Sequence, residues 1–180
     1  MKRFAFAGLV ALLLTSDIAL AQGGATLGNP NPAQWKRSSV DSSRGTLLSA
    51  VSGKSEQEHY FTCRPPDCPV RATVFFNARM DGRPYQSAAP RRAFLEEHEA
   101  TMAGSKWSVV EPMKEGRLKG RAAYSGSKKV AAMGLTEYSH IRIIFEGDTV
   151  VTIAGNSVDS AAARRALELF LPLLRFGAWQ

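Results

Sequence analysis

The sequence predicts an α+β domain: an antiparallel sheet of about five to seven strands with two helices packed on one face. Three observations predict this fold. Apolar and polar residues alternate with a period of two over residues 70–78 and 141–154, as in strands with one buried face. Apolar residues recur at helical spacing over residues 90–103 and 159–171. The predicted strands follow each other through short turns, which favours antiparallel pairing over parallel crossovers.

The first half of the domain contains the clearest strand. Val70, Ala72, Val74, Phe76 and Ala78 alternate with polar residues, and Phe75 is the one exception. Shorter strands are predicted at 47–51 and 60–63, and a turn at 81–84 precedes the first helix. That helix should begin at Pro90, because proline suits the first helical turn, and Gly104 should provide its left-handed cap.

The second half of the domain ends in a hairpin and a helix. The hairpin is predicted from strands at 138–145 and 149–154, and its Gly147-Asp148 turn suits type II′ geometry. Asp159 can cap the second helix, and Pro172 should end it. Before the hairpin, the pattern predicts a strand at 106–110, a further alternating stretch at 117–124 and a loop at 126–129.

The N-terminal 21 residues have the layout of a bacterial secretory signal peptide. Lys2 and Arg3 precede an apolar run at 4–14, and Ala19-Leu20-Ala21 is a cleavage site. The run is shorter than the roughly twenty residues that span a bilayer. No cysteine follows the run and no Arg-Arg pair precedes it, so lipid-anchored and twin-arginine export are not expected. The sequence therefore predicts cleavage after Ala21 and a periplasmic or secreted protein.

The segment from residue 22 to residue 45 is predicted to be a flexible lead to a single domain at 46–180. Glycine, serine, asparagine and proline dominate it, and Trp35 is its one aromatic side chain. Such a composition buries too little surface to offset the entropy of ordering the chain. Trp35 could dock on the domain.

The protein is basic, with 23 lysines and arginines against 16 acidic residues. Removing Lys2, Arg3 and Asp17 with the signal leaves 21 basic and 15 acidic residues, a net charge of +6. An exported protein of this charge could engage anionic lipid headgroups or envelope polymers, or it could be an ordinary basic protein. No nucleic-acid partner is expected, and no second apolar stretch is long enough for a membrane span.

The two cysteines, Cys63 and Cys68, are predicted to form a disulfide. An even cysteine pair in an exported chain favours a bridge. Redox-active pairs usually enclose two residues at a helix N-terminus, whereas this pair encloses four and precedes a strand. A thiol–disulfide activity, or a metal site that adds His59 and Asp67, remains the alternative function.

No catalytic motif is recognisable, so the sequence predicts a non-enzyme without a cofactor. The stretch at 120–128 resembles a phosphate loop in composition but has five residues between its glycines where four are needed. His98 and Glu99 lack the second histidine of a zinc-protease motif, because Met102 stands there. No serine lies in a Gly-x-Ser-x-Gly elbow.

A cluster of cations forms the candidate anion-contact surface. Its members are Lys114, Arg117, Lys119, Arg121, Lys128 and Lys129. If residues 117–122 form one strand, Arg117, Lys119 and Arg121 project from one face in a row that could contact an anionic polymer or headgroup. The same charges could instead protect an exposed strand edge from aggregation.

The order of elements resembles the PsbP/DcrB-type family of small exported α+β domains. The resemblance covers residues 46–176 and rests on the strand at 70–78, the helix from Pro90, the Trp107 strand, the hairpin and the last helix. It implies a binding or accessory role without catalysis, and it carries no functional residue to this chain. The predicted function is thus an exported, periplasmic, non-enzymatic binding or accessory protein that engages an anionic envelope component or a protein partner.

Overall fold

The computed structural model describes residues 25–39, 55–80, 82–132 and 134–177. Within these ranges the α+β class is confirmed. The strands are β1 (Ala25–Leu27), β2 (Lys36–Ser39), β3 (Ser55–Cys63), β4 (Ala72–Met80), β5 (Ser108–Leu118), β6 (Arg121–Ala132), β7 (Leu135–Glu146), β8 (Thr149–Ser157) and β9 (Leu174–Phe176). The helices are α1 (Ala88–Gly104) and α2 (Ser160–Phe170), and a 3-10 turn at Leu171–Leu173 follows α2.

Seven strands form one sheet in the order β2-β3-β4-β8-β7-β6-β5, and β1 pairs with β9 beside it. Every neighbouring pair in the sheet is antiparallel, as the short turns predicted. The β7–β8 hairpin turns at Gly147, whose φ of 61° fits the first position of a type II′ turn. In the part of the chain described here, no helix is long and apolar enough to cross a membrane.

The helices cover opposite faces of the sheet, which corrects the expectation that both lie on one face. Along β4, Val74 and Phe76 belong to the core beneath α2, whereas Phe75 packs with Phe94 of α1. In β7, Ile144 faces α2 and its neighbour Ile143 faces the opposite core. Successive strand side chains point to opposite faces, so apolar neighbours mark a sheet that is buried on both sides. Phe75, the exception to the alternation, was therefore the signal of the second core.

Helix α2 lies close to the sheet. The Asp159 side chain caps it by accepting a 2.6 Å hydrogen bond from the Ala162 N–H, as predicted. Gly155 of β8 allows the close approach, because a Cβ there would collide with the Ala163 carbonyl oxygen and lie 2.8 Å from the Leu167 nitrogen. The missing side chain thus determines the distance between this helix and the sheet.

Residues 25–39 are not the flexible lead that their composition predicted. They contain β1, which pairs with the C-terminal β9, and β2, which pairs with β3. Trp35 does dock on the domain: it is buried and meets Phe170 edge-on at 5.0 Å between ring centroids. The composition indicated that the entropy cost of ordering this segment would keep it flexible. Strand pairing with distant parts of the chain and burial of the Trp35 indole offset that cost. The signal peptide at 1–21 and the predicted strand at 47–51 lie outside the described residues.

Three local predictions in the middle of the chain are corrected. The predicted loop at 126–129 is part of β6, and the strand predicted at 106–110 is β5, which continues to Leu118. Lys119 and Gly120 form the turn between β5 and β6 with φ values of 49° and 81°, as in a type I′ turn. Gly104 ends α1 without a left-handed conformation, which Lys106 adopts instead with φ of 65°.

The Cys63–Cys68 disulfide is present, as predicted, with its Cα atoms 5.9 Å apart. It joins the end of β3 to the turn that leads into β4. Cys63 is fully buried in the core beneath α2. Burial of this sulfur supports a structural bridge, and the closed bridge removes both thiolates from any zinc site.

Replacing both cysteines by alanine should lower the free energy of unfolding by about 2 kcal/mol, because the open loop regains chain entropy in the unfolded state. Urea denaturation of the oxidised protein and the Cys63→Ala/Cys68→Ala variant measures this. A reductant should destabilise the starting protein and leave the variant unchanged. Equal stability of the oxidised protein and the variant would contradict the prediction.

Candidate functional site

Two of the six predicted anion-contact residues hold the fold together. The Lys119 ammonium donates to the carbonyl oxygens of Pro172 at 2.9 Å and Leu174 at 2.5 Å. The Arg121 guanidinium forms a 2.6 Å ion pair with Glu146 and lies 4.1 Å above the Phe176 ring. Both side chains therefore tie the β5–β6 turn to neighbouring parts of the domain.

The six cations do not form one row. The turn at Lys119 and Gly120 places Arg117 on the α1 face, where it pairs with Ala122, and Arg121 on the α2 face. Lys128 is buried, whereas Lys114 and Lys129 are exposed. Because β5 is an edge of the sheet, edge protection still suits the exposed cations of that strand. Contact of these residues with an anion stays a prediction.

A cleft of about 310 Å³ opens on the α1 face, between the segment before α1 and the β5–β6 hairpin. We call it the α1 cleft. Its lining comes from three parts of the chain: the start of α1 with the segment before it, the β5–β6 hairpin and the β7–β8 turn. The lining residues are Tyr85, Gln86, Arg91, Glu115, Gly116, Arg117, Ala122, Phe145 and Gly147.

Two arginines stand on different walls of the α1 cleft. Arg91, whose side chain is 12% exposed, donates to the carbonyl oxygens of Tyr85 at 2.8 Å and Gln86 at 3.0 Å and lies 3.8 Å from the Glu115 carboxylate. Its buried Nε atom has no hydrogen-bond partner. Arg117 is exposed and donates to the Gly120 carbonyl oxygen at 2.7 Å. One guanidinium is thus fixed by the backbone, and the other lies at the surface.

Aromatic rings form the base of the α1 cleft. The Tyr85 ring lies 4.8 Å from Phe145 and meets Phe94 edge-on at 5.9 Å. The Tyr85 N–H donates to the Gly147 carbonyl oxygen at 2.9 Å, which anchors the segment before α1 to the β7–β8 turn. Tyr124, edge-on to Phe145, has a buried hydroxyl without a hydrogen-bond partner. These contacts make the cleft a preformed feature of the fold.

Further along α1, His98 of the helix and Lys128 of β6 lie near enough to interact electrostatically. Lys128 is 3% exposed, and its Nζ atom has no hydrogen-bond partner; the His98 Nε2 atom is also buried without one. Burial, with Lys128 and Arg79 nearby, lowers the pKa of His98 to about 4, so the imidazole is neutral at neutral pH. Burial also lowers the pKa of Lys128, and Glu99 opposes this shift.

Sequence reasoning missed the α1 cleft and misread Lys128. It treated residues 126–129 as a loop, where a lysine would be solvated. If the predicted strand had continued through these residues, Lys128 would lie four positions after Tyr124 and therefore on the same face of the sheet. A cation at a buried strand position was therefore the available signal, whereas Arg91 and Glu115 are brought together only by the tertiary structure.

The α2 face contains a histidine–serine contact but no triad. The His140 Nε2 atom lies 3.1 Å from the Ser160 hydroxyl oxygen, at the start of α2. Burial, followed by the nearby Arg164, lowers the pKa of His140. Among the described residues, no carboxylate oxygen hydrogen-bonds to His140, and no group of three or more His, Cys, Asp or Glu side chains could hold a metal ion. This pair is therefore not assigned a role.

The sequence matches no family model and no curated protein. The fold is similar to that of LpqN, a Mycobacterium tuberculosis protein involved in cell envelope biogenesis, with a TM-score of 0.57 and 11% identity over 87% of this chain and 86% of LpqN. PA94 of Pseudomonas aeruginosa, of unknown function, aligns with a TM-score of 0.49 and 12% identity over 63% of this chain and 76% of PA94. A Bacteroides thetaiotaomicron structure aligns with a TM-score of 0.48 and 14% identity over 86% of this chain; the chain spans about half of that protein, 48%. At 11% identity the similarity to LpqN shows the fold alone.

Proposed function

We propose that this chain is an exported, non-enzymatic binding or accessory protein of the bacterial cell envelope, and that it holds an anionic headgroup in the α1 cleft. The observation that carries the proposal is the position of Arg91 and Arg117 on different walls of one preformed cleft. Planar guanidinium groups recognise phosphate and carboxylate through paired N–H donors. Glu115 is the one carboxylate among the lining residues, so the cations outnumber it.

The lining also favours binding over catalysis. It contains no histidine, serine, cysteine or lysine side chain, the types that most often form a pair of nucleophile and base. Its aromatic base can contact the apolar part of a ligand while the arginines hold the charge. A thiol–disulfide activity has less support, because Cys63 is fully buried in the bridge.

Export to the envelope has three supports. The first 21 residues have the layout of a signal peptide, a closed disulfide suits an oxidising compartment, and the fold resembles that of LpqN, which is involved in cell envelope biogenesis. We propose as well that the chain is a member of the PsbP/DcrB-type family, which the order of its strands and helices supports.

Arg117→Ser should weaken binding to vesicles of phosphatidylcholine with 30% phosphatidylglycerol at least fivefold, because it removes the exposed guanidinium of the cleft. Co-sedimentation at low ionic strength measures this, since salt screens such contacts. Arg165→Ser is the matched control: Arg165 is also exposed but lies on α2, and its loss should change binding less than twofold. Equal weakening by both variants, or no binding by the starting protein, would contradict the proposal.

A further inference from the structure

A second polar site lies beneath the C-terminal half of α1, apart from the α1 cleft. Lys128 enters it from β6 and His98 from the helix. Neither side chain lines the cleft, and each places a buried nitrogen without a hydrogen-bond partner in the interface. The strand register places Lys128 beside Ser139 of β7, which is also buried, so the lysine stands well inside the sheet's edge.

A lysine in this position is expected to have a counterpart. An ammonium group carries three donors and no acceptor, and buried polar groups in native proteins are almost always hydrogen-bonded. An unpaired buried charge is among the costliest features that a fold can carry. Stability alone favours an apolar residue at such a position, like the neighbouring Ile141 on the same face. The buried lysine therefore points to a group that the ammonium binds.

The charges around the site favour an anion. Lys128 and Arg79 both act on His98, and Glu99 is the carboxylate that acts on Lys128. The groups that act on this pair thus include two cations and one carboxylate, and the imidazole itself is neutral. One further negative charge would balance these groups, and its oxygens could accept hydrogen bonds from the Lys128 ammonium and from an N–H of the His98 imidazole.

Helix α1 is attached more loosely than α2, which provides a route of access. Three of its 17 residues are buried (Phe94, Leu95 and Met102), against five of 11 in α2. Its N-cap residue, Ser87, makes no side-chain capping hydrogen bond, whereas Asp159 caps α2. Few buried apolar contacts and a missing cap lower the cost of a small displacement.

We infer that the interface between α1 and β6 is a binding site for one carboxylate or phosphate group, held by the Lys128 ammonium and the His98 imidazole. The anion would enter as α1 shifts outward and would fill the hydrogen-bonding capacity of both nitrogens. The site is independent of the α1 cleft, so one can exist without the other.

The test uses inorganic phosphate, acetate and octanoate as probes at constant ionic strength. At least one probe should saturate with 1:1 stoichiometry, raise the melting temperature and raise the pKa of His98 from about 4 by at least one unit in an NMR titration. Saturation by phosphate or acetate identifies a free anion, and saturation by octanoate alone identifies the headgroup of an amphiphile. No saturable response to any probe would overturn the inference.

Lys128→Met and the matched control Lys129→Met separate this site from general charge effects, because Lys129 is the exposed neighbour of Lys128. Lys128→Met should weaken probe binding at least tenfold and raise the melting temperature of the probe-free protein, since it removes a buried ammonium group that lacks a hydrogen-bond partner. Lys129→Met should retain binding. Equal binding by Lys128→Met and the starting protein would overturn the inference. If Lys128→Met does not fold, Lys128→Gln takes its place with the same expectations.

Arg117→Ser distinguishes this inference from the proposed function. It should retain the phosphate, acetate or octanoate response while losing affinity for anionic vesicles. Loss of the probe response in Arg117→Ser with retention in Lys128→Met would place the anion in the α1 cleft and overturn the inference.

Discussion

Gly155→Ala should destabilise the protein by about 3 kcal/mol, at the upper end of the cost of overpacking a core. The new methyl group would meet the Ala163 carbonyl oxygen and lie 2.8 Å from the Leu167 nitrogen and 3.0 Å from the Leu167 Cβ atom. Two of these three atoms belong to the α2 backbone, so no side-chain rotation can make room. The helix must move away from β8, which disturbs the core packing of Leu167 and Ala166.

The measurement is the urea midpoint and slope of Gly155→Ala beside a matched control, Gly116→Ala. Gly116 also lies in a strand, β5, and a Cβ there would have no atom within 4 Å. The control should be neutral or slightly stabilising, because alanine loses less backbone entropy than glycine. Similar stability of the two variants would show that α2 does not depend on the close approach at Gly155.

Phe170→Ala should lower the free energy of unfolding by about 3–5 kcal/mol, the usual cost of deleting a buried phenylalanine. Phe170 is fully buried at the end of α2. Its ring meets Trp35 edge-on at 5.0 Å and Phe61 at 4.9 Å. The change therefore leaves a cavity where the N-terminal segment, β3 and α2 converge, and Trp35 loses its aromatic partner.

Leu169→Ala is the control for this prediction, since the neighbouring Leu169 is 46% exposed and its loss should change stability by less than about 0.5 kcal/mol. Chemical denaturation measures both variants, and tryptophan fluorescence reports the environment of Trp35 once Trp107 and Trp179, the other two tryptophans, are replaced by phenylalanine. Phe170→Ala should also shift the emission to longer wavelength as water reaches the indole. An unchanged spectrum with full stability would contradict the packing of Trp35 on Phe170.

The sequence by itself determined the features that depend on neighbours along the chain. The β7–β8 turn depends on a glycine at position 147, the start of α2 on the Asp159 cap, and the disulfide on two cysteines five positions apart. Antiparallel pairing also followed, because short turns permit little else. In each case the decisive interaction lies within a few residues, so the local pattern contains the physical cause.

Only the tertiary structure decided which surfaces meet. Alternation shows that a strand position is buried but not which helix covers it. In the structure Phe75 packs with α1 and its neighbour Phe76 packs with α2, which places the helices on opposite faces. The order in residues 25–39 comes from pairing of β1 with β9, about 150 residues away, and no local composition reports such a contact.

The candidate sites depend on the same kind of long-range contact. Arg91 and Glu115 meet across two elements, and Lys128 is buried because β6 continues through a stretch that its composition marked as a loop. The sequence showed that basic residues are abundant. The fold decided that Lys119 and Arg121 brace the chain and that Arg117 lines a cleft. It also buries the Lys128 Nζ atom without a hydrogen-bond partner. Burial and pairing of this kind depend on which distant elements share each face.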